Sequence, residues 1–152
     1  MFGNLSEEGI EHVLKYQLLG HIGCHDNDTY IVPICYAYDG NCIYARTYEG
    51  FKLTMMRNNP RVCFQVEHLE SMGKWQSAIC WGEFEELTDT SKRNKGIEVL
   101  QKRVSAIMGD KNLQVSLHWP FSLYDSDNVK GIIFCIHISE KTGKFENSSI
   151  SN

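Results

Sequence analysis

A chain of 152 residues has the size of one domain and can bury a core without disulfides or metals. Its hydrophobic share of 42% and charged share of 22% exclude disordered and collagen-like classes. A net charge of -4 lacks the basic excess that a phosphate-backbone binder uses, so nucleic acid is not an expected partner.

The start, Met1 to Glu8, has neither a basic nor an apolar leader region, and no run approaches the roughly 20 apolar residues that span a bilayer. One cytoplasmic domain over residues 1–152 with no membrane contact is expected. Ile10, Val13, Leu14 and Leu18 follow helical spacing after Ser6 as N-cap, with Gly20 expected to stop the helix. Short strands are then predicted at His21–His25, Tyr30–Tyr38 and Cys42–Tyr48, with Asp39-Gly40 as a hairpin turn between the last two. Tyr30–Tyr38 is apolar on both faces. Either it is sandwiched inside a monomer, or one face lines a barrel and the other meets a partner subunit or ring system.

A short helix is predicted over Phe51–Asn59, ended by Pro60. Val62, Phe64 and Val66 alternate as a half-buried strand, and Ser77–Leu87 reads as another, with Gly82 a bulge or close approach. Thr90–Met108 forms a longer helix with one apolar stripe, Ile97, Leu100, Val104 and Ile107, ended by Gly109. After a loop holding His118-Trp119-Pro120, Val129–Ser139 is the last strand. Roughly six strands with three marginal helices predict an α+β fold around a closed or nearly closed antiparallel β-barrel.

The six cysteines contain no Cys-x-x-Cys pair and sit mostly in apolar runs, which fits reduced, buried thiols. His21 and His25 share a strand face while Cys24 points the other way, so they do not converge and no metal site is expected. Trp81 is expected in the core, and Trp119 as a lid over a bound ring.

The stretch Ile43–Val66 carries the chemistry. A strand end with Arg46 and Thr47, a loop with Gly50, and a helix with Lys52 in its first turn bring basic groups to unpaired helix amides, which suits a phosphate. The same residues read equally well as a solvated lysine and a strand-end charge. Lys52 followed by Asn59-Pro60 resembles the phosphate-binding segment of the pyridoxamine 5'-phosphate oxidase-like split-barrel flavoproteins. Ser77, five positions before Gly82, stands where that family places a polar flavin contact, and Thr142-Gly143-Lys144 is similar to the family's ending.

The resemblance implies a six-stranded antiparallel split β-barrel with flanking helices, a homodimer, and FMN held without a covalent bond at the subunit boundary. It implies flavin contacts at Val32, Pro33 and Ile34, and a small-molecule substrate, planar or nitroaromatic, reduced by an FMN-dependent oxidoreductase. No catalytic side chain is assigned. The loop Tyr48-Glu49-Gly50-Phe51 lacks the extra basic residues of the vitamin-forming oxidases, and the tail lacks their Arg-bearing segment. The chain is thus more similar to the branch that includes nitroimidazole-resistance reductases, although Ala45 stands where those often carry His. A flavin-storage protein and a haem-handling split barrel are the alternatives.

Overall fold

The computed structural model describes residues 1–108 and 129–148. Its strands are β1 (Phe2–Asn4), β2 (Leu19–Asp26), β3 (Asp28–Cys35), β4 (Ala37–Tyr38), β5 (Cys42–Thr47), β6 (Arg61–Ser71), β7 (Lys74–Glu86) and β8 (Ile132–Asn147). Helices α1 (Glu7–Tyr16), α2 (Phe51–Asn58) and α3 (Thr90–Met108) flank them.

All strand pairs are antiparallel, in the order β3-β2-β6-β7-β8-β5-β4, with β1 added beside the end of β8. The two ends of that order, β3 and β4, are separated in the chain only by Tyr36. One extended segment therefore pairs with β2 through its first part and with β5 through its last two residues, which closes the sheet on itself. The α+β split barrel is as predicted, but the sheet has eight strands rather than six. The additional β1 and β4 are three and two residues long, too short to show a period in sequence.

Alternate residues of the strands fill the barrel. Ile22, Ile43, Phe64, Ala78, Phe134 and Ile136 are fully buried in one cluster, which Val13 and Leu14 of α1 and Leu53 and Met56 of α2 complete. The Tyr36 hydroxyl donates to the Leu14 carbonyl at 2.6 Å, fixing α1 to the strand that closes the barrel. Glu11 of α1 accepts from the Tyr38 hydroxyl and from Lys141. On the outer face α3 packs Leu100 against Tyr44, Ile133 and Cys135 in a second cluster.

Several boundaries differ from expectation. Ser6 caps α1 by accepting from the Gly9 amide at 3.1 Å, but the helix ends at Tyr16 with Gln17 as its C-cap. Gly20 lies within β2 because a Cβ there would meet the Phe64 ring at 2.1 Å. Strands β6 and β7 extend far beyond the predicted cores and meet in a hairpin across Met72-Gly73, and β8 runs on to Asn147. Those extensions are mostly polar and show no sustained apolar alternation, so their pairing reveals them. Asp39-Gly40 does turn the chain: the Asp39 carboxylate accepts from the amides of Asn41 and Cys42, and Gly40 has φ +102°. No described helix is long and apolar enough to cross a membrane. The six cysteines are free.

Candidate functional site

Strand β5 runs inward-facing Ile43, Ala45 and Thr47 along the barrel and then turns through residues 48–50 into α2. Gly50 is the helix N-cap and offers no side chain, so no capping group satisfies the first amides. The first turn of α2 carries no acidic residue. Into this corner Lys52 extends a half-buried ammonium, which donates to the Thr47 hydroxyl at 2.7 Å. Burial pushes Lys52 below the ordinary lysine range. Among the described residues no carboxylate lies within ion-pair distance of it. The hydrogen bond of this half-buried cation among the described residues is to a neutral hydroxyl, and a positive helix end with uncapped amides beside it favours an anion there.

The neighbouring acid is kept away. Glu49 accepts two bonds from Arg57 of α2, at 2.9 and 3.0 Å, and the same guanidinium donates two to Glu86 on β7, at 2.8 and 2.9 Å. This fork holds the loop and neutralises the carboxylate nearest in sequence to Lys52. The other end of α2 is tied to the β2–β3 hairpin: Asn58 donates to Asp26 at 2.9 Å and Asn59 to the His25 carbonyl at 2.8 Å. Asn59 thus positions the helix as well as ending it, a role its place before Pro60 does not show. Pro60 accepts from the Phe84 amide at 2.8 Å, joining the same corner to β7.

The predicted residues divide into groups. Thr47 and Lys52 meet. Val32, Pro33 and Ile34 lie on β3, which begins a step away, where the Tyr30 and Phe51 rings touch edge to face at 5.0 Å. Val32 and Ile34 turn inward and Pro33 outward, and Pro33 is accommodated because β3 pairs only with β2. Arg46 faces the opposite side of β5 from Thr47, over the Tyr48 ring at 5.6 Å and donating to the Lys130 carbonyl at 3.4 Å. Ser77 pairs with Lys144 at the far end of β8 from Ile132, the partner of Thr47, and accepts from Gln65 at 3.0 Å. Within one chain Ser77 and Lys52 belong to different regions. Trp119 lies outside the described residues.

Trp81 is a correction. It is half-buried on the outer face rather than in the core, in a row that runs across four strands in register: Ile31, Gly23, Cys63, Trp81. Because Gly23 has no side chain, a groove of about 260 Å³ opens between its neighbours, bounded also by His25 and Thr29. Ile31 is 67% exposed at its edge. The groove is smaller than the pockets that enclose a whole ligand, roughly 300–1,000 Å³, and needs a second wall to hold one. A larger depression of about 690 Å³, lined by His12, His68 and Trp75, includes none of the predicted residues.

Residues 6–115 match the family described as pyridoxamine 5'-phosphate oxidase. An uncharacterized protein of Rhizobium meliloti is 40% identical over 67 residues, a match that spans 44% of each chain. Among solved structures, a FAD-binding protein from Mesorhizobium loti superposes with a TM-score of 0.73 at 26% identity, over 97% of this chain and 99% of that one. A candidate 5-nitroimidazole antibiotic resistance protein from Bacteroides thetaiotaomicron gives 0.69 at 19% identity, over 95% and 87%.

Proposed function

The chain belongs to the pyridoxamine 5'-phosphate oxidase family, and from that footing we propose that two copies bind FMN between them as an oxidoreductase for a small planar or nitroaromatic substrate. The observation that carries this reading is Lys52, a half-buried ammonium beside uncapped helix amides and the Thr47 hydroxyl, with no carboxylate partner among the described residues. A terminal phosphate brings about two negative charges and three acceptor oxygens, and so completes each of those groups. The FAD-binding relative supports a flavin, and within that class FMN is the choice because a single terminal phosphate suits one lysine and one helix end.

FMN supplies hydride and electron transfer when bound. The chain's own task is to hold and enclose it. Lys52, Thr47 and the first amides of α2 fix the phosphate, and the backbone of Val32, Pro33 and Ile34 supports the ring. The apolar row from Ile31 to Trp81 excludes water once a second copy covers it. Mass spectrometry of the small molecule released on denaturation tests the cofactor: FMN is expected, and FAD or no flavin contradicts the assignment. Bleaching of the bound flavin by a nicotinamide donor, with reoxidation by a nitroaromatic, tests turnover. A flavin that stays oxidised with every donor would leave a storage protein instead.

Ile31→Glu is expected to convert the dimer to monomer and to release flavin, because it places an unpaired charge on the exposed edge of the apolar row that the second copy would cover. Sedimentation checks this, and a stable flavin-bound monomer would exclude the shared site. Arg57→Ala is expected to weaken FMN binding on the order of fivefold, since it frees the Glu49 carboxylate beside the phosphate corner. Fluorescence titration measures it, and Arg57→Ala combined with Glu49→Gln should recover the wild-type affinity.

A further inference from the structure

On the outer face of the barrel, three side chains unrelated to the phosphate corner converge. Glu85 of β7 lies directly opposite Cys135 of β8, and His137 follows Cys135 on the same face. The His137 Nε2 lies 3.3 Å from Cys135 Sγ and 3.2 Å from Glu85 Oε1, and the sulfur and that oxygen are 4.0 Å apart. Ligands of a tetrahedral zinc ion, bound at the usual Zn–S, Zn–N and Zn–O lengths, lie roughly 3.4–3.6 Å from one another. The two distances to His137 Nε2 come within about 0.3 Å of that spacing, and the sulfur–oxygen edge is about 0.5 Å longer, a gap that a small rotation of the Glu85 side chain closes.

We propose that Glu85, Cys135 and His137 form a zinc site with one open coordination position. The donor set, one thiolate, one imidazole and one carboxylate, suits zinc, where magnesium or calcium would require oxygen ligands alone. The surroundings are arranged as ligating groups require. Cys42, opposite His137 on β5, places its sulfur 3.4 Å from His137 Nδ1, so the second ring nitrogen has a partner that sets the ring's orientation. Lys92 of α3 donates to Glu85 Oε2 at 3.2 Å and leaves Oε1 for the ion. Cys135 is 2% exposed and anchored between β5, β7 and α3, whereas the side chains of His137 and Glu85 are 53% and 37% exposed. The fourth position therefore opens to water or an incoming ligand. Binding transfers the Cys135 thiol proton to solvent, and the resulting thiolate and carboxylate balance the charge of the ion.

Equilibrium dialysis of the flavin-loaded protein against zinc, followed by metal analysis, tests this. One zinc per chain is expected, with affinity reduced at least tenfold in His137→Gln and Glu85→Gln. Both positions are exposed enough to change without disturbing the fold, which circular dichroism checks. Cys42→Ala should weaken zinc binding by less than either ligand substitution, through loss of a weak thiol contact that orients the ring. His68→Gln, at an exposed histidine paired with Glu70 on the distal hairpin, should change nothing. Cadmium NMR of the loaded protein should show one thiolate ligand. Absence of saturable zinc, binding undiminished in His137→Gln, or a cadmium shift without sulfur ligation would overturn the proposal.

Discussion

Lys52→Glu is expected to abolish measurable FMN binding, and Lys52→Ala to weaken it roughly 10–100-fold, the range expected for losing one hydrogen bond between charged partners. The reversal costs more because a carboxylate in the half-buried corner repels the phosphate and competes with it for the Thr47 hydroxyl and the uncapped amides of α2. The pH dependence follows from the same group. The phosphate needs the ammonium, and burial has lowered the pKa of Lys52, so affinity falls with rising pH before an ordinary lysine would titrate. At the acid end, protonation of the phosphate below its second pKa, near 6, removes one of its two charges and affinity is expected to fall again. The profile is a plateau between these limits, and in Lys52→Ala the alkaline limb disappears. Fluorescence titrations across pH measure both effects.

Gly82→Ala is expected to destabilise the fold by about 3 kcal/mol, read as a lowered urea midpoint. A Cβ at Gly82 would meet the His137 carbonyl oxygen at 2.2 Å, and backbone cannot rotate out of the way as a side-chain tip can. The position coincides with the register shift between β7 and β8, where the two longest strands of the barrel change alignment. Gly50→Ala is the contrast. Its Cβ would come no nearer than 4.0 Å to another group, its backbone is extended at φ 170°, and the cost should stay under about 1 kcal/mol. Equal midpoints for the two variants would mean that the β7–β8 crossing can widen to admit a methyl group.

Those two glycines also show what sequence conveys and what it withholds. Gly82 interrupts an otherwise clean strand pattern, so a bulge or close approach there was legible. Gly20 follows a helical stretch and reads as a stop signal, yet its reason is the Phe64 ring, a neighbour distant in sequence. Helix α3 was legible from its start at Thr90 because its stripe repeats over many turns, while the expected stop at Gly109 lies outside the described residues. The β6–β7 hairpin arm and the second half of β8 were not, because their residues are polar and their partners set the conformation.

The site divides along the same line. Lys52 and Thr47 meet because a strand end, a short loop and a first helical turn are all local. Arg46 joined them only by proximity in sequence, and strand alternation alone assigns adjacent residues to opposite faces. Trp81 read as core because it is large and apolar, but strand parity puts it outside, in register with Gly23 and Ile31. Ser77 stands in the family's position but in a distant part of the same chain, an arrangement that a second copy would resolve. In the outer cluster, the alternation of Cys135 and His137 is visible in sequence, while Glu85 and Cys42 arrive only through pairing across β7, β8 and β5.

The most direct measurement compares FMN with riboflavin, which has the same ring and no phosphate, on wild type and Lys52→Ala. Wild type should prefer FMN strongly, and the substitution should erode that preference while leaving riboflavin affinity nearly unchanged. Equal binding of the two flavins by wild type, or equal loss of both in the variant, would contradict a phosphate held at Lys52.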